Sequence, residues 1–339
     1  MTSIPDDKLF EHSDRVKGKV LLITGAANGI GKEAALKFAS YGARVVIGDI
    51  DLAGAQKVVR EIEGSGGSAA AIRCDVTDFD QQVELFELAY NKFGSVDIVV
   101  PNAGITEVPG FTRPTLKNGK PVKPSLKTIE INLNGLLYTS HLALHYMRLN
   151  QKTGDLKSLV LLGSVASWMG IPLGTLYTAS KHGVLGVMRS LHEILHLQGI
   201  RVACIHPFFA DTAIVPIPVK LALAGIPLTP VSRVAGAIFL AATDTDPKTN
   251  GAAWLLLDDG PVFIVPKEEF KQGVYGMIDA RANAARGAVV GIKAWVLFFA
   301  DIWRIVGKPA AKVGIAATIA HYAWKNKETI EGFVRPLLK

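Results

Sequence analysis

Short apolar runs alternate with longer amphipathic stretches along the first 260 residues of the chain. The short runs are apolar at consecutive positions and rich in β-branched residues, which is typical of strands buried on both faces of a parallel sheet. We therefore predict seven strands: KVLLIT (19–24), RVVIGD (44–49), AAIRCD (70–75), VDIVVP (96–101), SLVLLGS (158–164), IRVACIHP (200–207) and AAWLLLDD (252–259).

The amphipathic stretches between these strands are predicted to be helices, among them 31–40, 79–93, 126–147 and 176–198. Strands that alternate with helices predict an α/β fold, here a doubly wound Rossmann-type parallel sheet of about seven strands. We expect this domain over residues 16–260. An N-terminal segment, 1–15, precedes it, and a helical C-terminal extension, 261–339, follows it.

Composition narrows the class of protein. Of the 339 residues, 49% are hydrophobic and 20% are charged, which is typical of a globular protein and excludes a disordered one. Two cysteines are too few for a disulfide framework and favour a reducing compartment. The first 14 residues lack the apolar core of a signal peptide, and we find no uncharged run long enough for a spanning helix. We therefore expect a cytoplasmic protein.

The net charge of +7 is concentrated in the C-terminal extension. Residues 261–339 contain 12 Lys and Arg and 6 Asp and Glu, whereas the preceding 260 residues contain 25 and 24. The chain shows no zinc-finger spacing, no RNP-like aromatic box and no dense run of Lys and Arg, so a nucleic-acid partner is not predicted.

The extension contains a segment with the pattern of an amphipathic helix, residues 287–308. On a helical wheel its charged residues fall within an arc of about 80°. They are Lys293, Asp301, Arg304 and Lys308, and the opposite side holds Trp295, Phe298, Phe299, Ile302, Ile305 and Val306, with Leu297 as the exception. This pattern predicts a helix lying in a membrane surface, with a second apolar segment at 310–324 and a peripheral location on a membrane or lipid droplet. The alternative is that the apolar face packs on the rest of the chain or on a partner subunit.

A Pro-rich loop at 108–127 contains five basic and no acidic residues. It is either a solvated surface excursion or a lid beside a substrate cleft, because loops that follow strands bind ligands in this architecture.

A glycine-rich turn directly follows the first strand and opens a helix. Its sequence is Thr24-Gly25-Ala26-Ala27-Asn28-Gly29-Ile30-Gly31. Glycines allow the backbone to approach a pyrophosphate, which binds at the free N–H groups of a helix N-terminus. The predicted cofactor contacts in the turn are Gly25, Asn28, Gly29, Ile30 and Gly31.

An acidic residue, Asp49, ends the second strand 18 residues after Gly31. A carboxylate at this position accepts hydrogen bonds from an adenosine ribose and repels a 2′-phosphate. Ile50 and Asp51 follow it, instead of Arg or Lys, so NAD is predicted over NADP. The alternative is a structural turn in which the aspartate caps a helix.

The spacing TGxxxGxG resembles that of the short-chain dehydrogenase/reductase family, and the similarity extends over residues 16–260. The runs YTASKHG, TGAANGIG and IEINL look like the branch that contains 15-hydroxyprostaglandin dehydrogenase and similar fungal enzymes. The resemblance implies further cofactor contacts at Asp75, Val76, Asn102, Pro207 and Thr212, together with Tyr177 and Lys181. It also implies a homo-oligomer.

Tyr177 and Lys181 are four residues apart and therefore share one face of a helix. A neighbouring ammonium favours the phenolate, so we expect a lowered pKa for Tyr177 and proton exchange with an alcohol near neutral pH. The resemblance implies that Ser164 orients the substrate beside Tyr177 and that Asn132 supports a proton relay through Lys181.

These features predict an NAD-dependent oxidoreductase that interconverts a secondary alcohol and a ketone on an apolar small molecule, such as a lipid, steroid, terpenoid or polyketide. The alternative is a catalytically silent, membrane-associated NAD-binding protein. The intact set of Ser164, Tyr177 and Lys181 favours the enzyme.

Three departures from the family pattern stand near this site. Pro101 precedes Asn102, Phe208 follows Pro207 where glycine is usual, and Gly163 and Ser167 exchange the commoner Ser and Gly. None of them removes a catalytic group, although a bulky Phe208 changes the surroundings expected for a nicotinamide.

A zinc-protease motif, HExxH, is present at His192–His196. It lies in the same predicted helix as Tyr177, so we interpret it as the pattern of a helix that covers the sheet, and no metal is predicted. His141 and His145 are interpreted as packing or surface residues, and Cys74 and Cys204 as core residues.

Overall fold

The computed structural model describes residues 2–108, 110–210, 212, 223–270, 277 and 298–327. Contacts divide the chain into two units, Met1–Glu269 and Phe270–Lys339. Whether the predicted boundaries at 15/16 and 260/261 delimit independent domains stays a prediction.

A nine-stranded sheet forms the centre of the first unit, in the order β1-β11-β10-β9-β8-β5-β2-β3-β4. A separate two-stranded sheet pairs β6 with β7. The strands are β1 (Thr2–Ile4), β2 (Val20–Thr24), β3 (Arg44–Asp49), β4 (Ser68–Arg73), β5 (Ile98–Val100), β6 (Leu116–Lys117), β7 (Lys120–Pro121), β8 (Ser158–Leu162), β9 (Arg201–Pro207), β10 (Ala253–Leu256) and β11 (Val262–Val265).

Seven neighbouring strands of the large sheet are parallel, in the order β4-β3-β2-β5-β8-β9-β10. This confirms the predicted doubly wound α/β architecture. Two further strands were not predicted. β11 pairs antiparallel with β10, and β1 pairs antiparallel with β11, with Thr2 opposite Ile264.

Helices cover both faces of the sheet. They are α1 (Gly29–Ser40), α2 (Leu52–Gly64), α3 (Phe79–Phe93), α4 (Lys127–Ile129), α5 (Leu136–Tyr146), α6 (Thr175–Leu197) and α7 (Val231–Thr243). The second unit contains a helix of its own, α8 (Lys308–Lys325). A π-helical turn, Glu130–Gly135, joins α4 to α5. Short 3-10 turns lie at Asp6–Lys8, Ser13–Val16, Val165–Ser167, Pro247–Thr249 and Lys267–Phe270.

The core lies between the sheet and these helices. All five residues of β2 are buried, because helices pack on both of its faces. α1 packs against α7, and the rings of Phe38 and Phe239 meet there with centroids 4.5 Å apart. The tightly packed central strands hold their carboxyl ends in place, and the predicted site residues follow those ends.

The second unit is helical where it is described, which confirms the predicted helical extension. Helical residues 298–302 lead through a π-helical turn, Trp303–Gly307, into α8. Half of the predicted amphipathic segment, 287–297, lies outside the described residues, including Lys293, Trp295 and Leu297. In the described parts of the chain, no helix has the length and apolar character needed to cross a membrane.

The apolar residues of α8 are not confined to one side of the helix. At about 100° per residue, Ile315 and Ile319 fall on the same side as Lys308 and Lys312. These side chains are exposed, as are Tyr322 and Trp324, the latter by 75%. Basic and apolar side chains therefore alternate along the helix axis more than they segregate around it.

Candidate active site

The glycine-rich turn lies between the carboxyl end of β2 and the first turn of α1. Gly25 has a φ of +67°, and a Cβ there would lie 2.7 Å from the Cα of Ala103. A Cβ on Gly31 would lie 2.3 Å from the carbonyl oxygen of Gly25. The turn therefore needs glycine at both positions, and it brings backbone to the helix N-terminus where a pyrophosphate binds.

The side chain of Asn102, from the segment after β5, is hydrogen-bonded to this turn. Its Nδ2 donates to the carbonyl oxygens of Thr24, at 3.0 Å, and Gly25, at 2.7 Å. The hydroxyl of Thr24 accepts from the backbone N–H groups of Asn102 and Ala103, both at 3.1 Å. The segment after β5 is thus hydrogen-bonded to the glycine-rich turn.

Asp49 lies at the carboxyl end of β3 and is only 7% exposed. Its Oδ2 accepts from the N–H of Ala27 at 2.8 Å, and its Oδ1 accepts from the N–H of Asp51 at 2.9 Å. Asp51 in turn caps α2 by accepting from Gly54. Two carboxylates consequently stand beside the glycine-rich turn.

Asp75 and Val76 follow β4 at the same edge of the sheet. The Oδ1 of Asp75 accepts from the N–H of Thr77 at 3.0 Å and from its hydroxyl at 2.7 Å, which lowers the pKa of the carboxyl. Val76 packs against the π-helical turn, where a Cβ on Gly135 would lie 2.7 Å from it. This segment is therefore held against the helix that contains Asn132.

Thr212 lies beside the glycine-rich turn, since a Cβ on Gly29 would lie 3.4 Å from its Cγ2. Pro207 ends β9, and the N–H of Phe208 donates to the carbonyl oxygen of Leu256 at 2.7 Å. Residues 211 and 213–222 lie outside the described part of the chain.

The first turns of α6 carry Tyr177 and Lys181. The Lys181 ammonium lies 5.7 Å from the centroid of the Tyr177 ring and donates to the carbonyl oxygen of Leu162 at 2.8 Å. Burial lowers the pKa of Lys181 to about 8. The structure therefore brings the phenol and the ammonium close together, as their spacing predicts.

The expected direction of the Tyr177 pKa is wrong in this arrangement. Burial raises the pKa of Tyr177, and the neighbouring Ser164 hydroxyl opposes that rise only in part. The ammonium of Lys181 donates to the carbonyl oxygen of Leu162, and the side chain that lowers the pKa of Tyr177 is Ser164.

Ser164 follows β8 beside Tyr177, and its hydroxyl donates to the carbonyl oxygen of Pro207 at 3.5 Å. Its Oγ accepts from the N–H of Ala166 at 3.1 Å, and its own N–H donates to the Oγ of Ser167 at 3.2 Å. These two bonds form a capping box around a 3-10 turn. Ser167, which departs from the family pattern, thus fixes the orientation of the Ser164 backbone.

His206 explains the second departure in this segment. A Cβ on Gly163 would lie 2.5 Å from the Nδ1 of His206, so a serine side chain has no room there. Burial lowers the pKa of His206 to about 3, and the ring is therefore neutral at pH 7. Its Nδ1 is 3.1 Å from the carbonyl oxygen of Ser164, which can only accept, so Nδ1 carries the proton.

Asn132 lies in the π-helical turn and is buried. Its Oδ1 accepts from the N–H of Ile105, and its Nδ2 donates to the carbonyl oxygen of Ile105, both at 2.8 Å. The Nδ2 also donates to Ser180 at 3.3 Å. The side chain therefore joins the loop after β5 to the helix that contains Tyr177.

Glu107 is a site residue that the sequence analysis missed. Its Oε2 accepts from the backbone N–H of Tyr177 at 2.7 Å. The residue before α6, Gly174, makes no side-chain capping bond, so the carboxylate from a remote loop satisfies one of the free N–H groups. No sequence spacing links Glu107 to Tyr177, because 70 residues separate them.

The HExxH motif lies on α6, as expected for a covering helix. The rings of His192 and His196 stack with centroids 6.0 Å apart, and His192 Nδ1 is 3.3 Å from Glu193. Within the described residues, no group of three or more His, Cys, Asp and Glu side chains is arranged to hold a metal ion.

The site can bind a dinucleotide and transfer a proton. The glycine-rich turn forms a cradle that a Cβ would fill, and Asp49 lies beside it, so the residues present fit a nicotinamide cofactor. Ser164, Tyr177 and Lys181 meet at the carboxyl edge of the same sheet.

Comparison with known proteins agrees with this geometry. The family described as short chain dehydrogenase matches residues 19–217. The 3-oxoacyl-(acyl-carrier-protein) reductase of Thermotoga maritima is 36% identical over 244 residues, which cover 70% of this chain and 95% of that protein. Cyclohexanol dehydrogenase of an Acinetobacter species is 33% identical over 204 residues, 60% of this chain and 77% of that protein. A short chain dehydrogenase from Burkholderia cenocepacia, solved in complex with NADP, superposes with a TM-score of 0.63 at 27% identity and covers 73% of this chain and 98% of that one.

Proposed function

Since the chain belongs to the short-chain dehydrogenase/reductase family and is thus an oxidoreductase of that family, we propose that it interconverts a secondary alcohol and a ketone with NAD. The observation that carries this proposal is that the Tyr177 phenol lies beside the buried Lys181 on α6, with the Ser164 hydroxyl as its polar neighbour. A site for binding alone does not need a phenol and a hydroxyl paired in this way.

Tyr177 is the proposed acid and base. When an alcohol is oxidised, its hydroxyl proton passes to the Tyr177 oxygen, and when a ketone is reduced the same proton returns. Ser164 holds the reacting oxygen of the substrate by a hydrogen bond. When bound, the nicotinamide accepts or donates the hydride at the carbon that carries this oxygen.

Lys181 supplies a positive charge. Its pKa of about 8 keeps most of the group protonated at neutral pH. The ammonium lies near the Tyr177 ring, where its charge favours the phenolate against the effect of burial. Asn132 positions the loop after β5 through both backbone groups of Ile105, and any proton relay at this residue would use its backbone.

The preference for NAD rests on Asp49. Its carboxylate is bonded to the glycine-rich turn, and the Asp51 carboxylate follows two residues later, so a 2′-phosphate would meet negative charge. The Burkholderia structure holds NADP, so the preference of this chain has to be measured with both cofactors. A change in that preference when Asp49 is substituted would test its role directly.

An apolar substrate and a homo-oligomer are further parts of the proposal. A groove between α5 and α6 is lined by Leu137, Leu144, Val187 and Leu191, and Leu197 on α6 is 63% exposed. An exposed apolar helix pair suits a second copy of the chain. Light scattering tests this by measuring the mass of the full chain and of Leu137→Lys in solution. We expect an oligomer that the substitution weakens, and a full chain that is monomeric would contradict the proposal.

Membrane attachment of the second unit is a separate proposal, and it leaves the alternative of a silent membrane-associated protein open to test. Residues 298–327 contain five Lys and Arg and one Asp. Phe299, Trp303 and Trp324 in this range are exposed. Aromatic and basic side chains together favour an anionic membrane surface. The two buried free thiols, Cys74 and Cys204, favour the cytoplasmic side.

The decisive experiment is a screen of secondary alcohols with NAD and with NADP, followed by absorbance at about 340 nm. We expect NADH formation with at least one lipophilic alcohol and its loss in Ser164→Ala. Ser40→Ala, at the end of α1 and far in sequence from Ser164, is the matched control. Cofactor binding without turnover of any alcohol or ketone would favour the silent protein instead.

A further inference from the structure

An exposed, strongly basic segment leaves the candidate active site, and we call residues 110–127 the basic hairpin. Every one of these residues is exposed. The hairpin contains no Asp or Glu, and its five cations are Arg113, Lys117, Lys120, Lys123 and Lys127. Over the parts of the chain that the structure describes, none of these five side chains forms an ion pair.

A tight turn sets two of these cations side by side. Asn118 and Gly119 have φ values of 52° and 73°, the type I′ conformation that best joins two antiparallel strands. Lys117 is therefore paired directly with Lys120 across β6 and β7. Like charges that face each other in this way destabilise a hairpin. An anion bound between them would remove that repulsion.

Both ends of the basic hairpin lie next to segments that are hydrogen-bonded to helices of the candidate site. Before it, Glu107 accepts from the N–H of Tyr177, and the N–H of Val108 donates to the hydroxyl of Thr128 at 3.1 Å. After it, the same Thr128 hydroxyl donates to the carbonyl oxygen of Thr106 at 3.2 Å. Thr128 lies four residues before Asn132 in the chain. The hairpin consequently starts and ends at the edge of the sheet where the substrate would bind.

Apolar side chains accompany the cations. Leu116 is 62% exposed, and Phe111, Val122 and Leu126 are exposed as well. Leu116 faces away from Lys117, because neighbouring residues of a strand point to opposite faces. The hairpin therefore has a basic face with Lys117 and Lys120 and an opposite face with Leu116.

We propose that the basic hairpin binds an anionic group of the substrate, so that the substrate is an apolar molecule with a carboxylate or similar anion away from the reacting carbon. The proposal rests on the proposed function and specifies its substrate class. Lys117 and Lys120 are the specificity-determining residues, and they contact the anion without taking part in proton or hydride transfer.

The test compares acids with their uncharged esters. The probes are 12-hydroxyoctadecanoate and cis-4-hydroxycyclohexanecarboxylate, each measured beside its methyl ester with NAD and the full chain. We expect kcat/KM to favour the acid, and we expect this preference to fall about tenfold in Lys117→Glu/Lys120→Glu. It should also fall as salt increases, since exposed charges are screened.

A matched double reversal, Lys57→Glu/Lys248→Glu, changes the net charge equally on two other exposed lysines and should leave the preference unchanged. An acid preference that is absent, or that survives in the hairpin variant, overturns the proposal while oxidation of neutral alcohols still supports the proposed function. Loss of anionic-vesicle binding with an unchanged acid preference would assign the hairpin to a membrane surface instead. If no alcohol is oxidised, both proposals fall.

Discussion

The carboxylate of Glu107 accepts a hydrogen bond of 2.7 Å from the backbone N–H of Tyr177, although 70 residues lie between them. A negative charge at the first turn of α6 is favourable there, because the N–H groups of a helix N-terminus carry a partial positive charge. Glu107 thus positions the helix that carries the proposed acid and base.

We expect Glu107→Ala to lower kcat about tenfold and to destabilise the fold by about 1 kcal/mol, as the loss of a helix cap does. Glu107→Gln should recover most of kcat, since an amide oxygen still accepts the bond. NADH affinity should stay within a few-fold in both variants. Steady-state kinetics and thermal unfolding check this, with the exposed Glu130→Ala as control. Normal kcat in Glu107→Ala would show that the contact does not position Tyr177.

Tyr177→Phe should abolish turnover and leave NADH binding within a few-fold. The phenol oxygen transfers the proton, whereas the ring only lines the site. Tyr90→Phe on α3 is the same chemical change away from the site and should keep full activity. More than about a tenth of the original kcat, roughly 1.4 kcal/mol of barrier, would rule out Tyr177 as the proton donor.

Asp49→Asn should shift cofactor preference towards NADP by about tenfold, on the order of 1.4 kcal/mol. The one amide oxygen of asparagine can still accept from the N–H of Ala27, which keeps the glycine-rich turn. The charge that opposes a 2′-phosphate is removed, together with the bond from the N–H of Asp51. The ratio of kcat/KM with NAD and NADP is the measurement. Asp78→Asn, at the N-cap of α3, is the matched control. An unchanged ratio in Asp49→Asn would contradict the assignment.

His206 should make the fold sensitive to acid. Its pKa is lowered from 6.5 to about 3, so below pH 6.5 the unfolded chain binds a proton that the folded chain does not. Stability from the neutral ring is fully present above about pH 6.5 and is lost as the pH falls towards about 3, by up to about 1.4 kcal/mol per pH unit.

In His206→Asn, the amide can still donate to the carbonyl oxygen of Ser164, but it does not titrate. The drop in unfolding free energy between about pH 7 and 4.5 should therefore be smaller by about 2 kcal/mol than in the original protein. Urea unfolding at the two pH values measures it, and His182→Asn at an exposed position should change nothing. Equal acid sensitivity in His206→Asn would place the titrating group elsewhere.

Deletion of residues 270–339 should leave a folded, cofactor-binding protein, because every strand of the large sheet lies in Met1–Glu269. The full chain should bind anionic vesicles, and salt should weaken that binding. Phe299→Ser/Trp303→Ser should remove it, whereas Leu197→Ser, equally exposed on α6, should not. A full chain that ignores vesicles, with an insoluble truncated form, would mean that the second unit covers protein surface.

The parallel strands could be predicted because burial on both faces leaves a continuous apolar run, as in the five residues of β2. β1 could not, since it is three residues long and its partner lies far along the chain, as Thr2 and Ile264 do. Its presence depends on tertiary pairing, which leaves no local pattern. β11 follows β10 after five residues and pairs with it antiparallel, so its absence from the prediction has no such explanation.

The same distinction applies to the candidate site. The glycine-rich turn and the pair Tyr177 and Lys181 have fixed local spacing, so the sequence reveals them. The contact between Glu107 and Tyr177, and the exclusion of a side chain at Gly163 by His206, join separate elements. The direction of the Tyr177 pKa was wrong because spacing does not reveal burial, or that Leu162 holds the ammonium.

The pairing of β1 with β11 bears on aggregation. β11 has the sequence VFIV, an apolar strand whose outer N–H and C=O groups would otherwise invite pairing with another molecule. β1 covers that edge with three mostly exposed residues and is too short and polar to recruit a further strand well. Removing residues 1–5 should therefore lower the concentration at which the protein forms β-rich aggregates, even if the catalytic groups remain in place.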